Sequence, residues 1–425
     1  MNKEKLIPEL RFPEFENEEQ WDSTPLNDLC ELVTKGTTPT TLGFSYTESG
    51  VNFIKIESIL EGNINLEKAA FISIECNEAL KRSQLKEDDI LFSIAGALGV
   101  VTTVTKEILP ANTNQALSIV RLKNKKQKDY VKAFLKSNLI TSEVQKIKAG
   151  AAQPNISLNQ VANFSILIPK NTNEQQKIAT CLSSLDEVIA AHNQKLDLLK
   201  DHKKGMMQNL FPQEGEKVPK YRFKEFEKDG EWELKPFSKY IKLYRGSSPR
   251  PIIEYQTQGV DGVNWIKIGD TGSVTDFVIR SVSEKITPKG AEKSRAVKKG
   301  ELILANSMSY GSTYLLDIEG CIYDGWFVLR EYDEVFDKQF LLQLLNSEFM
   351  QNQYKKLAAG GIVQNISSEI VYSTLLPKTS KTEQQKIASC LSSLDALITA
   401  QAEKIEQLKL HKKGLMQGLF PKIEI

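Results

Sequence analysis

The side chains able to do chemistry are few and scattered in this sequence. The three histidines, His192, His202 and His411, sit in long helical stretches and do not cluster. The five cysteines, Cys30, Cys76, Cys181, Cys321 and Cys390, are widely spaced and form no C-x-x-C pair, so neither a zinc site nor a disulfide framework is expected. The densest acidic run is Glu87, Asp88 and Asp89. Its counterpart further along the chain reads Lys299, Gly300, Glu301, which favours turn chemistry over a metal-dependent nuclease. There is no G-x-x-x-x-G-K-[ST] phosphate loop, no dinucleotide G-x-G-x-x-G after a strand, no H-E-x-x-H and no G-x-S-x-G. The N-P-P-[FY] or D-P-P-[FY] tetrapeptide that would hold an exocyclic amine for methyl transfer is also missing. The sequence therefore predicts a chain without a catalytic site and without a metal of its own.

What remains is a set of polar loops suited to nucleic acid. Lys35, Thr37 and Thr38 fall in K-G-T-T-P, and Arg245, Ser247 and Ser248 in R-G-S-S-P. A basic residue, a glycine and two hydroxyls in a tight loop suit phosphate oxygens; a plain turn is the bland alternative. Gln153 and Asn155, like Gln364 and Asn365, follow runs of small residues, and their side-chain amides could pair with adenine. Ser93, Asn306, Ser307 and Tyr310 fall in segments that follow an apolar strand, where loop tips could reach base edges. Lys55 and Lys267 occupy matching strand positions and would serve phosphates if they point outward.

These candidates come in pairs because the chain is one unit written twice. Residues 174–212 and 383–421 align without a gap and agree at 26 of 39 positions. The duplication continues through PELRFPEFENEEQW at 8–21 and PKYRFKEFEKDGEW at 219–232, and through GVNFIKI at 50–56 and GVNWIKI at 262–268. A repeat of roughly 210 residues is too long for a solenoid unit and reads as a domain plus a helix.

The helices that close each copy carry a sustained heptad seam. In the first it runs through Ile178, Leu182, Leu185, Ile189, His192, Leu196, Leu199 and Lys203; in the second through Ile387, Leu391, Leu394, Ile398, Gln401, Ile405, Leu408 and Lys412. Pro212 and Pro421 stop them. The polar members read as a partly solvated edge. Gly205 and Gly414 predict fraying or a close approach. Two matched seams in one chain favour intramolecular, antiparallel pairing, since the partner is always present at high effective concentration. Such pairing would give an internal pseudo-twofold, with a globular domain at each end.

The segments between are mixed. Asn52–Ile59, Asp89–Ile94, Ser118–Leu122 and Phe164–Ile168 read as strands, as do Asn264–Ile268, Glu301–Ala305 and Tyr323–Leu329. Lys128–Lys148 and Lys338–Leu357 each read as one amphipathic helix, and Ser157 with Gln160 as a capping box. The expected fold is α+β: two similar mixed α/β globular domains, at 1–170 and 213–378, joined by two long helices at 171–212 and 379–425 that form an antiparallel intramolecular coiled coil.

The 425 residues are 40% hydrophobic and 26% charged, with a formal net charge of +1. That composition excludes a disordered chain and a wholly basic nucleic-acid coat. Local charge is less even, with nine basic and two acidic side chains between 120 and 148. No apolar run approaches the roughly 18 residues of a membrane span, and MNKEKLIPEL carries no apolar signal core, so a cytoplasmic location is expected.

The paired E-Q-Q-K-I-A…L-S-S-L-D…H-K-K-G-[ML]-M-Q-x-L-F-P helices, with the tryptophans Trp21 and Trp232 ahead of the G-x-[TS]-P loops and the [IV]-K-I strands, resemble the specificity subunits of type I restriction–modification enzymes. The resemblance covers essentially the whole chain. It implies two target recognition domains, each reading one half of a split, asymmetric double-stranded DNA site. It implies spacer helices that set the gap and dock two methyltransferase subunits, with restriction–translocase subunits joining them. S-adenosylmethionine, ATP and Mg would sit on those partners, with no cofactor on this chain. The alternative is a coiled-coil adaptor that touches no DNA.

Overall fold

The computed structural model describes residues 6–60, 62–150, 154–272, 274–307, 311–358 and 365–422. Two compact units emerge, Met1–Ala191 with Ile405–Ile425, and His192–Lys404. The division cuts across chain order because the two long helices, Thr172–Leu210 and Lys381–Leu419, are each 39 residues long and each contribute to both units.

In the first unit an antiparallel sheet runs in the order Cys30–Lys35, Leu117–Leu122, Ile90–Ser93, Val101–Thr103. Side chains alternate across a strand, and here both faces are covered. Ile90, Phe92, Val120 and Leu122 enter one core; Leu91, Leu117 and Ile119 enter another. That is why these strands read as continuous apolar runs. The first core is closed by helices Lys128–Leu135 and Asn138–Ala149 and by the long helices. On the other side lies a small sheet in which Val51–Ile54 pairs antiparallel with Ala70–Ile72 and parallel with Ala111–Thr113.

The second unit repeats the plan. Lys242–Arg245, Trp326–Arg330, Leu302–Ala305 and Thr313–Leu316 are neighbours in one sheet, extended by Val278–Ile279. Leu302, Leu304, Phe327 and Leu329 face one core, and Ile303, Ala305, Trp326 and Val328 the other.

Each stretch expected as one amphipathic helix is two. Lys128–Leu135 is followed by Asn138–Ala149, and Lys338–Leu345 by Glu348–Ala358. The break falls at a serine. Ser137 is extended, with φ −68° and ψ 164°, and starts a new helix as its N-cap residue. The capping box at Ser157 is present, the Gln160 side chain accepting the Ser157 N–H at 2.8 Å.

The E-Q-Q motif has a packing reason. In the first unit Glu174 is almost fully buried and accepts two bonds from Arg11, both at 2.8 Å, while Gln175 donates to the Pro169 carbonyl at 2.7 Å. In the second unit Glu383 accepts from Arg222 at 2.7 and 2.8 Å, and Gln384 accepts the Asp337 N–H at 2.7 Å. A bidentate arginine–carboxylate pair fixes direction as well as position. It locks the start of each long helix to the globular part from which it emerges. The other end is locked by apolar packing: Leu419 and Phe420 lie in the core of the first unit, Leu210 and Phe211 in that of the second.

The helices pair antiparallel within each unit. In the second, His192 meets Gln401 and Lys203 meets Asp395, so one number rises as the other falls. In the first, Lys412 bonds Asp186. Ile178, Leu182, Ile189, Ile387, Leu391 and Ile405 are buried, and Leu185, Leu196, Leu199, Leu394, Ile398 and Leu408 are half-buried, as a seam requires. The polar positions are better satisfied than a solvated edge. Lys203 is 8% exposed and donates to Asp395 at 2.6 Å, and Gln401 donates to His192 Nδ1 at 2.7 Å. Neither Gly205 nor Gly414 marks a close approach, since nothing lies within 4 Å of a Cβ built there, and both helices continue through them.

Candidate nucleic-acid interface

The Lys-Gly and Arg-Gly loops owe their glycines to backbone crowding. A Cβ on Gly36 would stand 1.8 Å from the Thr113 carbonyl oxygen, and one on Gly246 2.0 Å from that of Tyr323. Only glycine lets the chain pass so close. The preceding basic residues, Lys35 and Arg245, end edge strands and are exposed.

Three hydroxyls of these loops have partners within the fold. Ser248 bonds the Asp324 carboxylate, Ser247 donates to the Lys293 carbonyl at 3.3 Å, and Thr38 bonds Gln115. Thr37 is half-buried. Ser93 is fully buried; its hydroxyl donates to Ala97 at 2.5 Å and accepts the Val100 N–H at 2.7 Å, so it closes a turn and does not reach the surface. Lys267 is held by Glu284, and Lys55 places its ammonium 4.5 Å over the ring of Tyr46. Gln153, Tyr310 and Gln364 lie outside the described residues.

Three of the second-copy candidates converge. Arg245, Asn306 and Asn365 line a concavity of about 440 Å³ with Ser367, Glu369 and Tyr372. Ser307 and Asn365 form a backbone bridge, and the Ile366 N–H donates to the Asn306 carbonyl at 2.8 Å. The Asn306 side chain is buried and donates to the Asp324 carbonyl at 3.0 Å, so it positions the loop. Asn365, by contrast, is exposed. The first unit builds the same turn: the Ile156 N–H donates to the Ile94 carbonyl at 2.9 Å, and Asn155 is exposed beside it.

Sequence reading missed the basic surface around Arg245. The Arg245 carbonyl accepts from Arg295 at 3.2 Å, the Arg250 side chain is 81% exposed, and Lys293 bonds the Tyr255 hydroxyl at 2.5 Å. The Ser248 hydroxyl, burial partly opposing it, and nearby Arg250 and Arg245 hold the Asp324 carboxyl below its ordinary range, so it stays charged at neutral pH and anchors the group. The run Lys293–Lys299 carried that signal in the sequence. The acidic run resolves as turn chemistry: Asp89 is buried and takes two bonds at 2.7 Å from Arg121, and Glu301 takes the same part with Arg330. Among the described residues no cluster of three or more His, Cys, Asp or Glu could hold a metal, and no helix is long and apolar enough to cross a membrane.

A duplicated α+β unit, two 39-residue helices paired antiparallel, and polar loops beside exposed basic residues define the architecture. The chain belongs to the family of the type I restriction modification DNA specificity domain, whose model matches twice, at residues 18–201 and 247–410. Two Methanocaldococcus jannaschii proteins are similar over nearly the full length. One, named as the MjaX specificity subunit of a type I restriction enzyme, is 24% identical over 95% of this chain and 93% of its own. The MjaVIII specificity subunit is 25% identical over 97% and 93%. Among solved structures, a chain from work on complex assembly and conformational transition of the type I R-M system superposes with a TM-score of 0.62 at 17% identity, covering 94% of this chain and 97% of that one. The type I S subunit from M. genitalium gives 0.55 at 14% identity, over 98% and 100%. At these identities the superpositions establish the shared fold.

Proposed function

We propose that this protein is the DNA sequence-recognition subunit of a type I restriction–modification complex, binding an asymmetric bipartite site with one half read by each unit. The observation that carries this is the duplication without identity. Both units build the same Gly-crowded loop and the same exposed asparagine, Asn155 and Asn365, yet differ in the side chains around them. Two similar but non-identical readers match two different half-sequences. Exposed basic residues position the backbone, and loop amides and the guanidinium of Arg245 meet base edges. Lys35, Lys55, Asn155, Arg245, Asn365, Arg250 and Arg295 are the residues we assign to contact.

The chain itself carries no catalysis in this reading. Two methyltransferase subunits, with S-adenosylmethionine, dock on the long helices, and restriction–translocase subunits supply ATP- and Mg-dependent work, all in the cytoplasm. The test is replacement of residues 1–170 by the corresponding segment of another family member in the assembled complex, read by methylation-motif sequencing. One half of the motif should change. A change in both halves, or in neither, refutes the assignment.

A further inference from the structure

In the first unit, helix Lys128–Leu135 packs against the beginning of the first long helix and the end of the second. Between them lies a cavity of about 60 Å³ whose polar lining is Lys132, Lys136, Ser183, Asp186 and Lys412, with Leu182 and Met416 among its apolar walls. Lys412 is bonded to Asp186, and Asp129, which also lines the cavity, lies 4.0 Å from Lys128. Among the described residues, Lys132 and Lys136 have no carboxylate within ion-pair distance.

The internal duplicate provides a control. In the second unit the counterpart of Ala133 is Gln343, whose amide donates to Asp395 at 2.9 Å while Lys203 holds the other oxygen at 2.6 Å. The counterparts of Lys132 and Lys136 are Leu342, which is buried, and Asn346, which bonds Thr313. The scaffold therefore does not need two further ammonium groups at this place. Where it has them it also has Ala133 in place of the glutamine, and a cavity.

We propose that this recess binds a phosphate-type oxyanion through Lys132, Lys136 and Lys412. Its volume suits one phosphate group, without room inside for a nucleoside attached to it. Two ammonium groups four residues apart, Lys132 in the last turn of the helix and Lys136 at its C-cap, repel each other. Burial also lowers the proton affinity of both; Lys136 is pushed down to about 8, with Lys132 and Lys412 adding to the effect and Asp186 opposing it. A bound anion relieves both costs. The charged groups facing the site are Asp129 and Lys132 from the short helix, Asp186 from the first long helix and Lys412 from the second; the Lys136 ammonium also lies beside Gly62, 3.3 Å from where a Cβ would stand there. Anion binding is then strongest below pH 8 and weakens as Lys136 loses its proton.

The anion could be free phosphate or a backbone phosphate of bound DNA; only the second source rests on the recognition function proposed above. Full-length protein with ¹³C-labelled lysine is titrated with inorganic phosphate at pH 7 and constant ionic strength, with chloride as the reference. The expected result is a saturable shift of the Lys136 signal, an increase in its apparent pKa, and an affinity loss of at least tenfold in Lys132→Met and Lys136→Met, with Lys132→Arg retaining binding. Thermal melting confirms that each variant folds. In the second arm, the assembled complex binds DNA across a salt series. If the source is DNA, each methionine variant lowers the slope of log K against log salt by about 1. A positive result in either arm identifies the source. Absence of both effects, or phosphate binding that survives both substitutions, overturns the proposal. The phosphate arm needs no DNA, so it stands or falls separately from the recognition function.

Discussion

Replacing Phe420 by alanine should loosen the first unit and leave the second intact, although residue 420 lies at the far end of the chain. Phe420 is 3% exposed and makes edge-to-face contacts with Trp21, Tyr130 and Phe134, with ring centroids 6.4, 6.1 and 5.2 Å away. Burying a phenylalanine and filling its cavity is worth about 3–5 kcal/mol. Each aromatic pair adds roughly 0.5–1.5 kcal/mol, in part the same energy counted again. About 4 kcal/mol is thus expected, a large share of the stability of one such domain. Native-state hydrogen exchange reads this locally. Amides of strand Leu117–Leu122 should lose about 4 kcal/mol of protection, while those of Trp326–Arg330 should change by less than about 1 kcal/mol. Phe211→Ala should give the reverse pattern, since Phe211 packs at a tilt against Phe340 in the other core, ring centroids 5.6 Å apart. Equal losses in both strands, or a loss under about 1 kcal/mol in the first, would refute the claim that each helix end closes a core distant in sequence.

Arg222→Met leaves the Glu383 carboxylate buried without its partner and should cost about 3–5 kcal/mol in urea unfolding. Adding Glu383→Leu should recover part of that loss, and a double variant less stable than the single one would contradict the ion-pair reasoning. Asn365→Ala should weaken sequence-specific binding by about 1–3 kcal/mol in a competition gel shift; an equal loss on random DNA would mean a backbone or folding role. Because burial depresses Lys136 from 10.5 to about 8, the folded state releases that proton before the unfolded state does. The stability penalty is full below about pH 8 and is relieved as pH rises towards 10.5, by roughly 1–3 kcal/mol after allowance for partial exposure. Lys136→Met should flatten that rise, and an unchanged slope would rule out Lys136 as its source.

Much of the site was legible only as a list of residue types. The Gly36 and Gly246 loops could be picked out because the duplication marks them, but the fate of their hydroxyls could not. Ser248 and Thr38 find partners 76 and 77 residues away in sequence, and those partners absorb the hydrogen bonds. Ser93 followed an apolar strand as a loop tip would, yet the turn to Val100 folds it inward. The half-buried Arg295 reaches the Arg245 carbonyl only through sheet pairing, which brings 295–297 beside 320–322.

The amino-acid sequence alone determined the duplication, the two long helices, their seam and the apolar strands. Each of these is a local or periodic pattern, and periodicity survives without knowledge of the fold. Tertiary structure alone decided which residues close each core and which polar groups stay free. Arg11 finds Glu174 at a separation of 163 residues, and Arg222 finds Glu383 at 161. Phe420 enters a core built around Trp21. A buried charge or ring is satisfied by whatever neighbour the fold supplies, and no pattern along the chain records that neighbour.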